Sequence, residues 1–199
     1  MNLIVPYYTQ TNLNECGFIS AKMILEYFDI VVGVNEMRHR LGVIEDRPLL
    51  STEILLLLHM YGLSSTLYSK TNVLNFDISP RYKSILDKNL IDIEKLNLNL
   101  IVKKVTISSI KSWINSGIPI ICLLNFPNRG LHYVPVVGFD NNNIYIHDFD
   151  TPNIKISTDK FKILLKSRSF FKKASLYSFE KAIFKTSVIC SFSFFNTLK

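Results

Sequence analysis

From residue 16 the chain is apolar on more than one face. Phe18, Ile19, Ala21, Met23, Ile24, Leu25 and Phe28 leave little room for a polar stripe, so 16–28 predicts a buried helix. Residues 35–41 predict a short helix that stops at Gly42. Ser51 is the expected N-cap of a helix over 52–61, with Gly62 just past its end. Ser108 is expected to cap a helix ending at Asn115 before Gly117, and Ser157 one over 158–165. Short runs rich in β-branched and aromatic residues predict strands at 2–8, 63–68, 103–106, 120–125, 133–139, 143–148, 174–179 and 187–195. Residues 69–100 are Asn-, Lys- and Asp-rich and poorly periodic, apart from a possible helix over 84–96, and predict an insertion on one face. Helices come first and strands later, which is the α+β pattern.

A length of 199 residues fits a single domain with a substantial core, 48% hydrophobic and 20% charged, which excludes a disordered chain. The expected core spans about 4–165 plus 174–195, with a C-terminal extension over 166–199. No apolar run reaches the roughly 18 residues of a spanning helix, and the first residues lack the basic region and long apolar stretch of a cleavable signal. The expected location is therefore cytoplasmic, or exported without such a signal.

Charge changes this picture only at one end. Residues 155–199 hold ten Lys/Arg against two Asp/Glu, a surplus of +8 within a total of +7. Such a segment is either a solvated basic surface or an attractor for an anionic membrane face or acidic partner. No nucleic-acid motif accompanies it. Cys16, Cys122 and Cys190 are sparse and widely spaced, which fits a reducing compartment rather than a disulfide framework or a zinc site. Neither a metal nor another cofactor is expected.

Four residues carry candidate chemistry. Cys16 opens the first helix, where the local dipole and free N–H groups are expected to lower a thiol's pKa. Gly17 removes bulk beside it, where a substrate backbone would approach. Gln10, in the preceding loop, could join the Cys16 N–H in holding an oxyanion. His132 starts a strand and could take the thiol proton; Asp148 ends the next strand and could orient the imidazole. His147 is the second candidate base, although strand alternation points it away from Asp148. The bland readings are a buried free cysteine, a surface glutamine and a turn-forming aspartate.

Register decides whether His132 and Asp148 can meet. A two-residue turn at Asn141-Asn142 would pair 140 with 143 and put 132 and 148 on opposite faces. A three-residue loop over 140–142 would place 148 opposite 134, making 132 and 148 diagonal neighbours on one face. The catalytic reading therefore requires the second register.

The segments Val5-Pro6-Tyr7-Tyr8-Thr9-Gln10, Glu15-Cys16-Gly17 and Met23-Ile24-Leu25-Glu26-Tyr27-Phe28 resemble the N-terminal motif of C39-type and C39-like cysteine peptidases. His132-Tyr133-Val134-Pro135-Val136-Val137-Gly138 and Ile144-Tyr145-Ile146-His147-Asp148 resemble their second motif. The resemblance covers about residues 4–165. It implies a papain-like α+β fold: N-terminal helices with a central buried helix packed on a C-terminal antiparallel sheet. It also implies Cys16 as nucleophile, His132 as base, Asp148 as orienter and Gln10 in the oxyanion hole. Glu15 stands where Asp is common, and Phe149 where Pro often follows the Asp. Tyr68-Ser69-Lys70-Thr71 and Val105-Thr106-Ile107 resemble a branch named guanylyl-cyclase-like, yet no glycine-rich phosphate loop accompanies them.

The expected function is hydrolysis of an amide or peptide carbonyl in a peptide or protein substrate, by a soluble thiol hydrolase. Acyl transfer or deamidation would use the same residues. A binding module without turnover and a guanylyl cyclase are the remaining readings.

Overall fold

The computed structural model describes residues 1–44, 46–69, 80–166, 169–171 and 186–192. The helix α1, Cys16–Tyr27, is buried from Cys16 through Ala21 and again at Met23, Ile24 and Leu25. That matches its nearly continuous apolar surface. The helix α2, Val34–Leu41, ends at Gly42, whose φ of +67° is the left-handed conformation that glycine adopts without strain. The helix α3, Ser51–Met60, is buried from Ser51 to Leu58.

Capping at α3 differs from the sequence expectation. Leu50 is the cap residue, and the Glu53 carboxylate accepts its N–H at 2.8 Å. Ser51 is turned inward instead, its hydroxyl 2.7 Å from the Tyr133 phenol.

A mixed sheet packs against these helices. Its order is β2 (Asn99–Val102), β1 (Ser64–Ser69), β8 (Thr186–Phe192), β3 (Ile120–Phe126), β4 (Gly130–Phe139), β5 (Asn143–Ile146) and β6 (Ile154–Ser157), with β7 (Ser169–Phe171) paired to β8 off this path. The β3–β6 half is antiparallel, whereas β8 runs parallel to both β1 and β3. The helices α4 (Pro80–Lys95), α5 (Ile107–Asn115) and α6 (Thr158–Lys166) complete the described elements.

Several expectations need correction. Residues 2–8 form no strand; a single bridge joins Asn2 to Gly138, and the Leu3 N–H reaches the Val137 carbonyl at 2.7 Å. Beyond Leu3 side chains take over: His147 holds the Val5 carbonyl, and the Tyr8 hydroxyl donates to Glu26 on α1. The strand expected at 103–106 lies earlier, at β2, because Thr106 is already the cap of α5, accepting from the Ser109 N–H. The segment read as an insertion supplies α4 and β2. Asn89 of α4 donates to Thr52 of α3 at 3.0 Å, and β2 extends the sheet beside β1. The strand β6 had no separate sequence signal. The strand expected at 174–179 lies outside the described residues, as does most of the basic extension. Among the described residues no helix is long and apolar enough to cross a membrane.

Candidate active site

A short 3-10 turn, Leu13–Glu15, delivers the chain into α1, with the Asn12 side chain accepting from the Asn14 N–H at 2.8 Å. Cys16 is thus the first residue of α1, and it is only 2% exposed. One turn later the Ser20 hydroxyl donates to the Tyr133 carbonyl at 3.2 Å, fixing α1 against β4. The backbone N–H groups of Tyr133 and Gly17 bear on the Cys16 sulfur and favour its thiolate, but burial outweighs them and pushes the thiol up to about 11. The helix start was expected to do the reverse; desolvation is the stronger effect here.

Gly17 has a structural reason different from the expected one. A Cβ there would lie 3.0 Å from the Leu49 Cβ and 3.3 Å from the Ile54 Cδ1. The space that glycine saves is therefore inside the core, between α1 and the entry to α3.

His132 and Asp148 are brought together by an unexpected route. The turn is the two-residue kind: the Asp140 N–H donates to the Asn143 carbonyl, and Phe139 pairs with Ile144. That register alone would separate the two side chains. A bulge between Val136 and Gly138 then shifts it by one, so Val136 pairs with Ile146 and the His147 N–H meets the Pro135 carbonyl. His132 Nε2 ends 3.4 Å from Asp148 Oδ1, with both side chains almost fully buried.

Three further contacts surround this pair. The Phe149 N–H donates to Asp148 Oδ1 at 2.8 Å, and Arg129 Nη2 to Asp148 Oδ2 at 2.7 Å. Gln10, 5% exposed, places its Nε2 3.5 Å from His132 Nε2, and its N–H donates to the Phe149 carbonyl at 3.1 Å. The Gln10 Oε1 is buried without a hydrogen-bond partner. Phe126 and Phe149 flank the imidazole, with ring centroids 6.2 and 6.4 Å away. Burial lowers His132 to about 4; Asp148 opposes this and Arg129 adds to it. Burial thus favours the neutral form of both the thiol and the imidazole.

His147 is otherwise engaged. Its Nε2 lies 3.0 Å from the Val5 carbonyl, and its Nδ1 accepts from the Asn153 N–H at 3.1 Å. Together these fix one tautomer, with the proton on Nε2. The ring is a brace between the N-terminal segment and the β5–β6 turn. Arg129 was not singled out from the sequence, because an arginine in a turn has no periodicity to mark it and ordinarily reads as solvated.

The profile of the Peptidase_C39 like family matches residues 2–170. The chain belongs to that family. Membership carries the enzyme class with it, a C39-like cysteine peptidase. Among solved structures, the double glycine motif protease of an AMS/PCAT transporter, in complex with its leader peptide, is 22% identical; the match covers 87% of this chain and 94% of that one at a TM-score of 0.53. The peptidase domain of Streptococcus ComA, a bifunctional ABC transporter involved in quorum sensing, is 16% identical, covering 84% and 96% at 0.52. A C39-like peptidase from Bacillus anthracis is 14% identical, covering 88% and 96% at 0.53. At these identities the likeness is one of fold, and it makes the C39-like domain α+β and papain-like. No curated protein matches the chain. Neither the family profile nor any of these three structures is that of a nucleotide cyclase, so the cyclase-like resemblance gains no support.

Proposed function

We propose that this C39-like chain cleaves peptide bonds with Cys16 as nucleophile, His132 as base, Asp148 as orienter and Gln10 as an oxyanion donor. The observation that carries the reading is the buried contact of His132 Nε2 with Asp148 Oδ1 at 3.4 Å, on the strand against which the Cys16 helix is fixed. A neutral ring with its proton on Nε2, directed at Asp148, leaves Nδ1 free to accept the thiol proton. The Cys16 sulfur then bonds to the carbonyl carbon, and the negative charge moves to the carbonyl oxygen. The Cys16 N–H, at a helix start, and the Gln10 amide are the donors for that oxygen. Collapse breaks the C–N bond as His132 returns its proton to the leaving amine. Water, deprotonated by His132, then cleaves the thioester and restores the thiol.

Because burial favours the neutral thiol and the neutral imidazole, proton transfer in this reading accompanies attack instead of preceding it. The substrate is a peptide or protein segment, in keeping with the leader peptide bound to one structural neighbour.

The same burial also favours a second reading, a binding module without turnover, since a closed neutral thiol is a poor nucleophile. One experiment separates them. The full chain is treated with an irreversible thiol electrophile, with intact-mass measurement and peptide mapping, and assayed on a peptide library for new amine termini. Modification at Cys16 together with cleavage that vanishes in Cys16→Ala supports the peptidase. Cleavage surviving in Cys16→Ala removes Cys16 from the mechanism, and absence of cleavage in the wild type favours the binding module.

A further inference from the structure

Arg129 occupies the turn between β3 and β4, three residues before His132. Its guanidinium faces Asp148 with two prongs, Nη2 to Oδ2 at 2.7 Å and Nη1 to Oδ1 at 3.4 Å. The same Oδ1 lies 3.4 Å from His132 Nε2. The Arg129 guanidinium lies over the Phe126 ring, its carbon 5.2 Å from the centroid, and the side chain is 37% exposed. Asp148 is 3% exposed. A half-exposed cation therefore reaches into the site and meets the carboxylate that, among the described residues, touches the imidazole.

We infer that Arg129 is a positioning residue that anchors the Asp148 carboxylate and divides its negative charge between itself and His132. The inference rests on the assignment of His132 and Asp148 as base and orienter.

A buried carboxylate needs its lone pairs satisfied, and a two-pronged arginine fixes its plane as a single lysine cannot. A carboxylate already neutralised by arginine also attracts an imidazolium less strongly than a bare one, so the ring is easier to keep neutral. The Phe149 N–H still holds Oδ1 at 2.8 Å, so the carboxylate keeps one anchor without Arg129. The other groups around the ring are few. Cys16 on α1 bears on the neighbouring Tyr133 N–H, the N-terminal segment contributes the uncharged Gln10, and β3 contributes Phe126. Among the described residues, Arg129 and Asp148 are thus the charges acting on His132.

The test follows the His132 imidazole by NMR as a function of pH, in the full chain carrying Cys16→Ser. Arg129→Gln removes the charge. Arg129→Met removes it while keeping an unbranched side chain, should the amide disturb the turn. Arg129→Lys keeps the charge and loses the fork. We expect the midpoint to rise by about half to one pH unit in the Gln and Met variants, because the freed carboxylate favours imidazolium. It should stay within about 0.2 unit of the parent in the Lys variant, where the charge is retained. An unmoved or lowered midpoint in the folded Gln or Met variant overturns the charge sharing, as does an equal rise in the Lys variant. No peptide substrate is used, so failure of the peptidase reading would appear only in the cleavage assay.

Discussion

The Ser20 hydroxyl donates to the Tyr133 carbonyl at 3.2 Å, one helical turn beyond Cys16 and one residue beyond His132. This bond ties the element bearing the thiol to the strand bearing the imidazole, beside the Tyr133 N–H that bears on the Cys16 sulfur. Both partners are buried, so Ser20→Ala leaves the Tyr133 carbonyl without this donor. We expect a stability loss of about 0.5–1.5 kcal/mol by denaturant melts, accompanied by reduced turnover. Full stability with unchanged turnover would show that packing alone holds α1 in place.

His132 and Cys16 act on opposite limbs of a stability–pH curve. Burial lowers His132 to about 4, so between its ordinary value of 6.5 and 4 the unfolded chain binds the extra proton. Stability should therefore fall as pH drops through that window. Burial raises Cys16 from 9.0 to about 11, so between those values the folded chain keeps a proton that the unfolded chain has lost. Stability should fall as pH rises through that window. Urea midpoints between pH 4 and 11 check this. His132→Gln should flatten the acid limb relative to wild type, and Cys16→Ser the alkaline one. Unchanged slopes would show that other groups govern both limbs.

Gln10→Ala separates binding from chemistry. Removing one oxyanion donor costs about 100- to 1,000-fold in turnover, while ground-state binding of the substrate is little affected. The Oε1 it removes has no hydrogen-bond partner, so no internal bond of that oxygen is lost. The expected outcome is a fall in kcat of that order with KM nearly unchanged and the melting temperature close to wild type. A rise in KM alone would make Gln10 a binding residue only.

Gly17→Ala tests whether the glycine serves packing or substrate access. The new methyl would meet the Leu49 Cβ at 3.0 Å. Overpacking of this kind costs about 1–3 kcal/mol, partly offset by roughly 1 kcal/mol of helix propensity. The variant should melt lower than wild type, and Leu49→Ala, which removes the Cδ1 that the methyl would meet at 3.3 Å, should cost less in combination than the two changes summed. Unchanged stability with a raised KM would return Gly17 to the substrate side.

The helices were legible because their signal is local. The apolar surface of α1 and the left-handed glycine after α2 are properties of neighbouring residues, and their bounds agree with the structure within a residue or so. The pairing of His132 with Asp148 was legible as a requirement, not as a mechanism. Asn141-Asn142 makes the two-residue turn that the catalytic reading disfavours, and a bulge at Val137 restores the needed register. Pro135 and Gly138, inside Val-Pro-Val-Val-Gly, are residue types that mark a bulge within a strand, but they fix neither its position nor the register it restores. Residues 2–8 read as a strand from composition, yet side-chain bonds from His147 and Tyr8 hold most of that segment, and no pattern within it announces them. The rise in the Cys16 pKa was hidden for a related reason. A helix start is visible in sequence, whereas the depth at which the fold buries it is not.

The strand β8 has a consequence for how the molecule is made. It lies between β1 and β3, parallel to both, yet it is the last of the described elements along the chain. During synthesis β1 and β3 must each present an open edge until β8 arrives, and open edges invite pairing with other chains. Most of the hydrogen bonds across the middle of the sheet can form only late. The nascent protein therefore cannot close its sheet until residues 186–192 have been made, and a chain released before residue 186 would carry the complete set of site residues on an incomplete sheet.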